Sequence, residues 1–213
     1  MTDNRMGGLA LIAGSVGSII TMSLHPTGRD LFAPGQFRLM AHLTVVAHVL
    51  ALASLPISFL GALALSKRLA SPNRVGVGAL VLYGFGVIAS MNAAVVSGLV
   101  GPSLVREILD AAPPESDAWR IVFDYNGRLL HTFAGVFVAA SSAAILLWSA
   151  AIVRGGALAR GVGVYGCILG PLTLLGVFSG HLRLNVHGFG LVVLGQAVWF
   201  IIVGTLLWRL PEK

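Results

Sequence analysis

The stretch Met40–Leu65, MAHLTVVAHVLALASLPISFLGALAL, decides the fold class of this chain. It contains no Asp, Glu, Lys or Arg. A helix rises 1.5 Å per residue, so this run is long enough to cross about 30 Å of hydrocarbon. We therefore predict a transmembrane helix over 40–65, with a kink at Pro56.

The composition of the whole chain agrees with a membrane class. Of its 213 residues, 56% are hydrophobic and only 10% are charged, whereas soluble domains carry about 25% charged residues. We conclude that the protein is polytopic and lies in a lipid bilayer. The net charge of +6 is scattered between apolar runs without a basic segment, so we assign it to topology and lipid headgroups and exclude nucleic acid as a partner.

Five further apolar runs complete the predicted architecture, which is a single all-α domain over 1–213 with six transmembrane helices in one bundle. We treat the first run as an uncleaved span because it is long for a signal peptide and no cleavage site follows it. In the fifth run, Gly170 and Pro171 predict an interruption. The predicted spans are 6–24, 40–65, 75–100, 129–153, 161–180 and 188–208.

The connection over 101–127 is the one long link and carries most of the acidic residues. We expect an outward-facing loop that contains a short helix over 103–111, capped by Ser103. A second helix is expected to begin at Pro114–Asp117, where proline is followed by acids, and to continue into span four.

Orientation follows from where Lys and Arg lie. The connections over 66–74 and 154–160 are basic and contain no acid, whereas the third connection is net acidic. The positive-inside rule therefore places both termini in the cytoplasm and the first, third and fifth connections outside.

With this topology, all six histidines fall in the outer half of the membrane. His42 and His48 both belong to span two, but they lie about 240° apart around a helix and do not share a face. The bend over 180–188 places His181 and His187 close together. We expect one outward-facing cavity with His25, His131, His181 and His187 inside it and His42 at its rim, while His48 points elsewhere or lies below it.

Two cofactors suit these side chains. His181 and His187, together with His25 or His131, give three imidazoles, a zinc- or copper-type set, so His25, His131, His181 and His187 are the candidate metal ligands. Haem is the rival, with His48 and His131 as axial ligands and Arg128 or Arg183 facing the propionates. The alternative is structural, with interfacial histidines bonded to loop carbonyls or headgroups.

Other polar and small residues in the spans are assigned to helix packing. The small side chains over 14–18 give span one a face for close contact, and Asn92 and Gln196 are expected to form interhelical hydrogen bonds near mid-membrane. Asp124, Arg128 and His131 share one helix face. The two charged groups either form an interfacial ion pair with His131 below it or orient His131.

The order of features also resembles a known kind of family. Phe37–Leu65 is a long span with an Arg near its start, and Asp124–Gly170 contains a His-bearing span followed by an Arg-flanked turn at 152–163. This order resembles uncharacterised six-span bacterial integral membrane proteins, of the domain-of-unknown-function kind. The resemblance implies a bacterial cytoplasmic membrane and brings no catalytic residues. The histidines at 25, 42, 181 and 187 lie outside the shared pattern.

Three function classes stay open at this point. The first is a metal- or haem-binding protein that uses the outer histidines. The second is an enzyme or transporter that acts on a small or lipophilic substrate in the outer leaflet. The third is an accessory subunit that packs on a membrane-protein partner.

Overall fold

The computed structural model describes residues 3–26, 30–33, 35–69 and 75–210. Within these ranges the chain is all-helical and contains no strand. The described residues form seven α-helices, a 3₁₀ turn at Asp30–Phe32 and a π-helical segment at Val96–Val100. The helices are α1 (Asp3–Leu24), α2 (Phe37–Arg68), α3 (Val75–Val95), α4 (Gly101–Asp110), α5 (Glu115–Gly155), α6 (Arg160–Phe178) and α7 (Val186–Arg209).

Six of the described helical segments are long and apolar enough to cross a membrane, which confirms the predicted fold class. Span three is compound, because α3, the π segment and α4 run on without a break over Val75–Asp110. Helix α5 has 41 residues, or about 60 Å, which is twice the hydrocarbon thickness. Its first turns therefore project beyond the membrane.

The link between spans three and four differs in part from the prediction. Helix α5 does begin at Glu115, directly after Pro114, as expected. The short helix before it is not a separate element capped by Ser103, because the Ser103 hydroxyl donates to the Val100 carbonyl inside a continuing helix, at 2.7 Å. The predicted loop over 101–127 is consequently almost entirely helical.

The predicted interruption of span five is also absent. Helix α6 runs unbroken through Pro171. A Cβ built on the neighbouring Gly170 would lie 2.8 Å from the Ser142 carbonyl on α5, so the helix is packed closely there. A proline removes one backbone hydrogen bond, and close packing against a neighbouring helix keeps the remainder of a transmembrane helix in place.

Helix α1 packs between α2 and α7 through small residues, as its sequence indicated. Gly14 and Gly17 are buried, and a Cβ at Gly14 would lie 2.8 Å from the Ser58 nitrogen and 2.9 Å from the Ser54 carbonyl of α2. On the opposite side, a Cβ at Gly8 would lie 2.5 Å from the Gly204 carbonyl of α7. Because no side chain separates the backbones, the three helices approach very closely.

The core of the bundle is aromatic towards the end where α1 begins. Trp148 and Trp199 are fully buried and stack with ring centroids 6.2 Å apart. Each indole has a hydrogen-bond acceptor, Ser66 Oγ for Trp148 at 3.0 Å and the Val162 carbonyl for Trp199 at 3.1 Å. Phe200 packs against both indoles and Tyr83 packs against Trp148, so aromatic side chains fill the interior of this half of the bundle.

The two mid-span amides behave differently. Gln196 is buried and donates from α7 to Ser142 Oγ on α5 at 3.1 Å, as predicted. The prediction for Asn92 is wrong, because its side chain is exposed and donates to the Ile88 carbonyl of its own helix. The two amides look equivalent in the sequence, but Gln196 lies on a buried helix face and Asn92 lies on an exposed one.

Candidate functional site

Five of the six histidines lie where α1 ends, α2 begins and α6 connects to α7, which we call the histidine end, and His131 lies on α5. Only two of the six are shielded from solvent, since His48 is buried and His25 is partly buried. His42, His131, His181 and His187 are exposed. Burial therefore singles out two residues that the sequence did not pair.

His25 and His48 contact each other directly. Their Nε2 atoms lie 3.1 Å apart, and their ring centroids are 4.6 Å apart with the planes at 62°. Of the two expectations for His48, that it points elsewhere or lies below the other histidines, the first is wrong. His48 and His42 lie on different faces of α2, and the face that carries His48 packs against α1, where His25 follows the last turn.

Backbone carbonyls fix the orientation of both rings. His25 Nδ1 lies 2.7 Å from the Pro26 carbonyl oxygen, and His48 Nδ1 lies 2.7 Å from the Thr44 carbonyl oxygen. A carbonyl only accepts, so each Nδ1 carries the hydrogen. In the neutral rings both Nε2 atoms are then unprotonated, and two lone pairs face each other across 3.1 Å.

A glycine in the π-helical segment makes room for this arrangement. Gly98 is buried, and a Cβ built on it would overlap the Cβ and Cγ atoms of His48 and lie 2.7 Å from Nδ1. Single-turn π segments are often found at functional sites. Here the π segment places Gly98, which has no side chain, against the imidazole of His48.

Facing lone pairs are unfavourable unless a cation lies between them. A shared proton is one such cation, but burial lowers the pKa of His25. This burial favours the neutral ring of His25, which is the form of imidazole that binds metals.

His25 also borders an open cavity of about 350 Å³ between α1 and α7. His187 lines the same cavity, so these two of the four predicted metal ligands do share a pocket. The other residues that line this cavity are mostly apolar, and among them only Met22 and Ser23 carry a sulfur or oxygen atom in the side chain. These other lining residues are Ile19, Met22, Ser23, Val186, Gly190, Val193 and Leu194.

The remaining predicted ligands are placed elsewhere. His181 Nδ1 lies 2.9 Å from the Ser179 hydroxyl, and Arg183 is exposed. His131, Arg128 and Asp124 lie exposed on α5, and none of them lines the cavity beside His25. Among the described residues, no three His, Cys, Asp or Glu side chains come close enough to hold a metal. The structure therefore does not bring His25, His131, His181 and His187 together as one ligand group.

The haem arrangement is not formed either. His48 has Thr44 at one ring nitrogen and His25 at the other, so neither nitrogen faces His131.

No protein-family model, curated protein or solved structure matches the chain.

Proposed function

We propose that this chain is a multi-pass protein of the bacterial cytoplasmic membrane, of the six-span kind that its sequence resembles, and that it binds a transition-metal cation between His25 and His48. The facing Nε2 atoms carry the proposal. The six apolar spans support the membrane location, and the basic connections support cytoplasmic termini.

The separation of the two nitrogens suits a metal. Zinc–imidazole bonds of about 2.0–2.1 Å at a tetrahedral angle span about 3.3 Å between the nitrogens. The observed 3.1 Å needs only a small opening to reach this value. In addition, an Nδ1–H that donates to a backbone carbonyl is the usual outer support of a metal-bound histidine, because it fixes the tautomer and the ring direction.

Imidazole ligands favour zinc or copper among the biological metals. Two protein nitrogens leave further coordination positions, and the cavity beside His25 supplies the space for them. A site with open positions is characteristic of metals that exchange ligands, whereas structural zinc sites are closed by four protein ligands. The geometry therefore supports a metal that is handed on or reacts in place more than one that only holds the fold.

Zinc content after dialysis tests the proposal. We expect about one equivalent of Zn²⁺ per chain in detergent-solubilised protein, and a loss of most of it in His25→Ala and in His48→Ala, since one imidazole alone binds weakly. His42→Ala is the matched control, because His42 lies on the same helix but is exposed. Retention of the full zinc content in His48→Ala would contradict the proposal.

A visible spectrum of the same preparation separates the two cofactors considered. Zinc is colourless, whereas haem has an intense absorption band, so we expect no such band. A haem spectrum that disappears in His131→Ala would replace the metal proposal by the haem one.

A further inference from the structure

The bundle contains a second, central cavity whose lining is partly polar. It measures about 30 Å³ and has hydroxyl or amide groups from four helices, Ser15, Ser18, Ser58, Tyr83 and Gln196. A buried water needs about 10–15 Å³ and two to four polar partners. This cavity meets both conditions for one or two water molecules.

The central cavity and the cavity at the histidine end share a wall. Val193 of α7 lines both of them. On α1, Ser15 and Ser18 line the central cavity and Met22 lines the outer one, and these three residues recur at helical spacing on one face. His25, directly after α1, also lines the outer cavity. The two cavities are thus consecutive sections along the same helix faces.

Aromatic side chains close the central cavity on the far side. Tyr83 and Phe200 line it, and both pack against the fully buried Trp148, with ring centroids 5.5 and 6.2 Å from that indole. The lining is therefore aromatic on the far side, whereas towards the histidine end the central cavity adjoins the outer one.

We propose that the two cavities form one half-channel, which brings water and water-sized monovalent cations from the histidine end to Gln196 at mid-membrane, with Val193 as its constriction. Hydroxyl and carboxamide oxygens are suitable ligands for such species, and the lining residues of the central cavity carry no charge. Apolar constrictions of this kind gate by dewetting. The inference does not depend on a metal at His25 and His48.

Silver ions test the half-channel, because Ag⁺ is close to water in size and reacts rapidly with thiols. Ser18→Cys is prepared in a Cys167→Ser background, exposed to Ag⁺ in chloride-free buffer, denatured, and then assayed for free thiol with a maleimide. Ala144→Cys is the matched control, since Ala144 is fully buried on α5 and lines neither cavity. Ala197→Cys, which lines the central cavity, replaces Ser18→Cys if that variant does not fold.

We expect the thiol at position 18 to react at least about tenfold faster than the thiol at 144, because only the first is reached through water. Adding Val193→Ala should speed the reaction, and adding Val193→Phe should slow it. Equal rates at 18 and 144 would overturn the half-channel. Rates at 18 that are unchanged by both substitutions at 193 would overturn Val193 as its constriction.

Discussion

At the scale of single residues, the site depends on where hydrogens lie on two imidazoles. Carbonyl oxygens 2.7 Å from each Nδ1 leave both Nε2 atoms as acceptors. The sequence shows six histidines at one end of the spans but not this pairing, because the partner of His25 is fixed by the contact of α1 with α2. The half-burial of His25 and the burial of His48, which follow from that contact, were the missing information.

Gly98→Ala should disturb the site without removing a ligand. A methyl group there overlaps His48, so we expect the protein to lose about 1–3 kcal/mol of stability, as is usual for overpacking, and to bind zinc more weakly. Thermal unfolding in detergent and zinc content measure the two effects.

Gly78→Ala is the control for this prediction, since it changes the same residue type on α3 where a Cβ meets no atom within 4 Å. It should be neutral or slightly stabilising, because Gly in a helix costs about 0.5–1 kcal/mol relative to Ala. In a His48→Gly background, Gly98→Ala should cost less than in the wild type. An undiminished cost there would show that Gly98 is needed for some other reason.

At the scale of the helices, the sequence predicted which segments form transmembrane helices better than it predicted where helices begin, end or break. Uncharged runs predict six spans because hydrocarbon forces every backbone group into internal hydrogen bonds. Proline and serine were weaker guides, since Pro171 lies inside an unbroken helix and Ser103 bonds within one. The small residues of α1 were interpreted correctly, because close backbone contact is a main way in which helices associate in lipid.

At the scale of the whole molecule, the alternation of helix direction collects the histidines at one end. What the sequence could not supply is the rotation of each helix about its own axis. That rotation turns His48 inward and leaves His131 exposed on α5, so the predicted four-histidine group and the observed pair differ although the topology is the same.

Membrane orientation is tested by cysteine labelling on the Cys167→Ser background. Ser71 lies outside the described residues and Ser116 is buried, so neither serves as a labelling position. Ala112 and Ala159 are both exposed and flank the two ends of α5. A membrane-impermeant maleimide added to intact cells should label Ala112→Cys but not Ala159→Cys, because the basic link near Ala159 is expected in the cytoplasm. Labelling of both positions would contradict the topology.

X-ray absorption at the zinc K-edge tests the central claim most directly, because it reports the atoms bonded to the metal. For zinc-loaded wild-type protein we predict two imidazole nitrogens at about 2.0 Å. Both should be retained in His42→Ala, whereas His25→Ala, which loses most of its zinc, should give no two-imidazole spectrum. A spectrum without imidazole scattering, or one that is unchanged by His25→Ala, would show that no metal lies between His25 and His48.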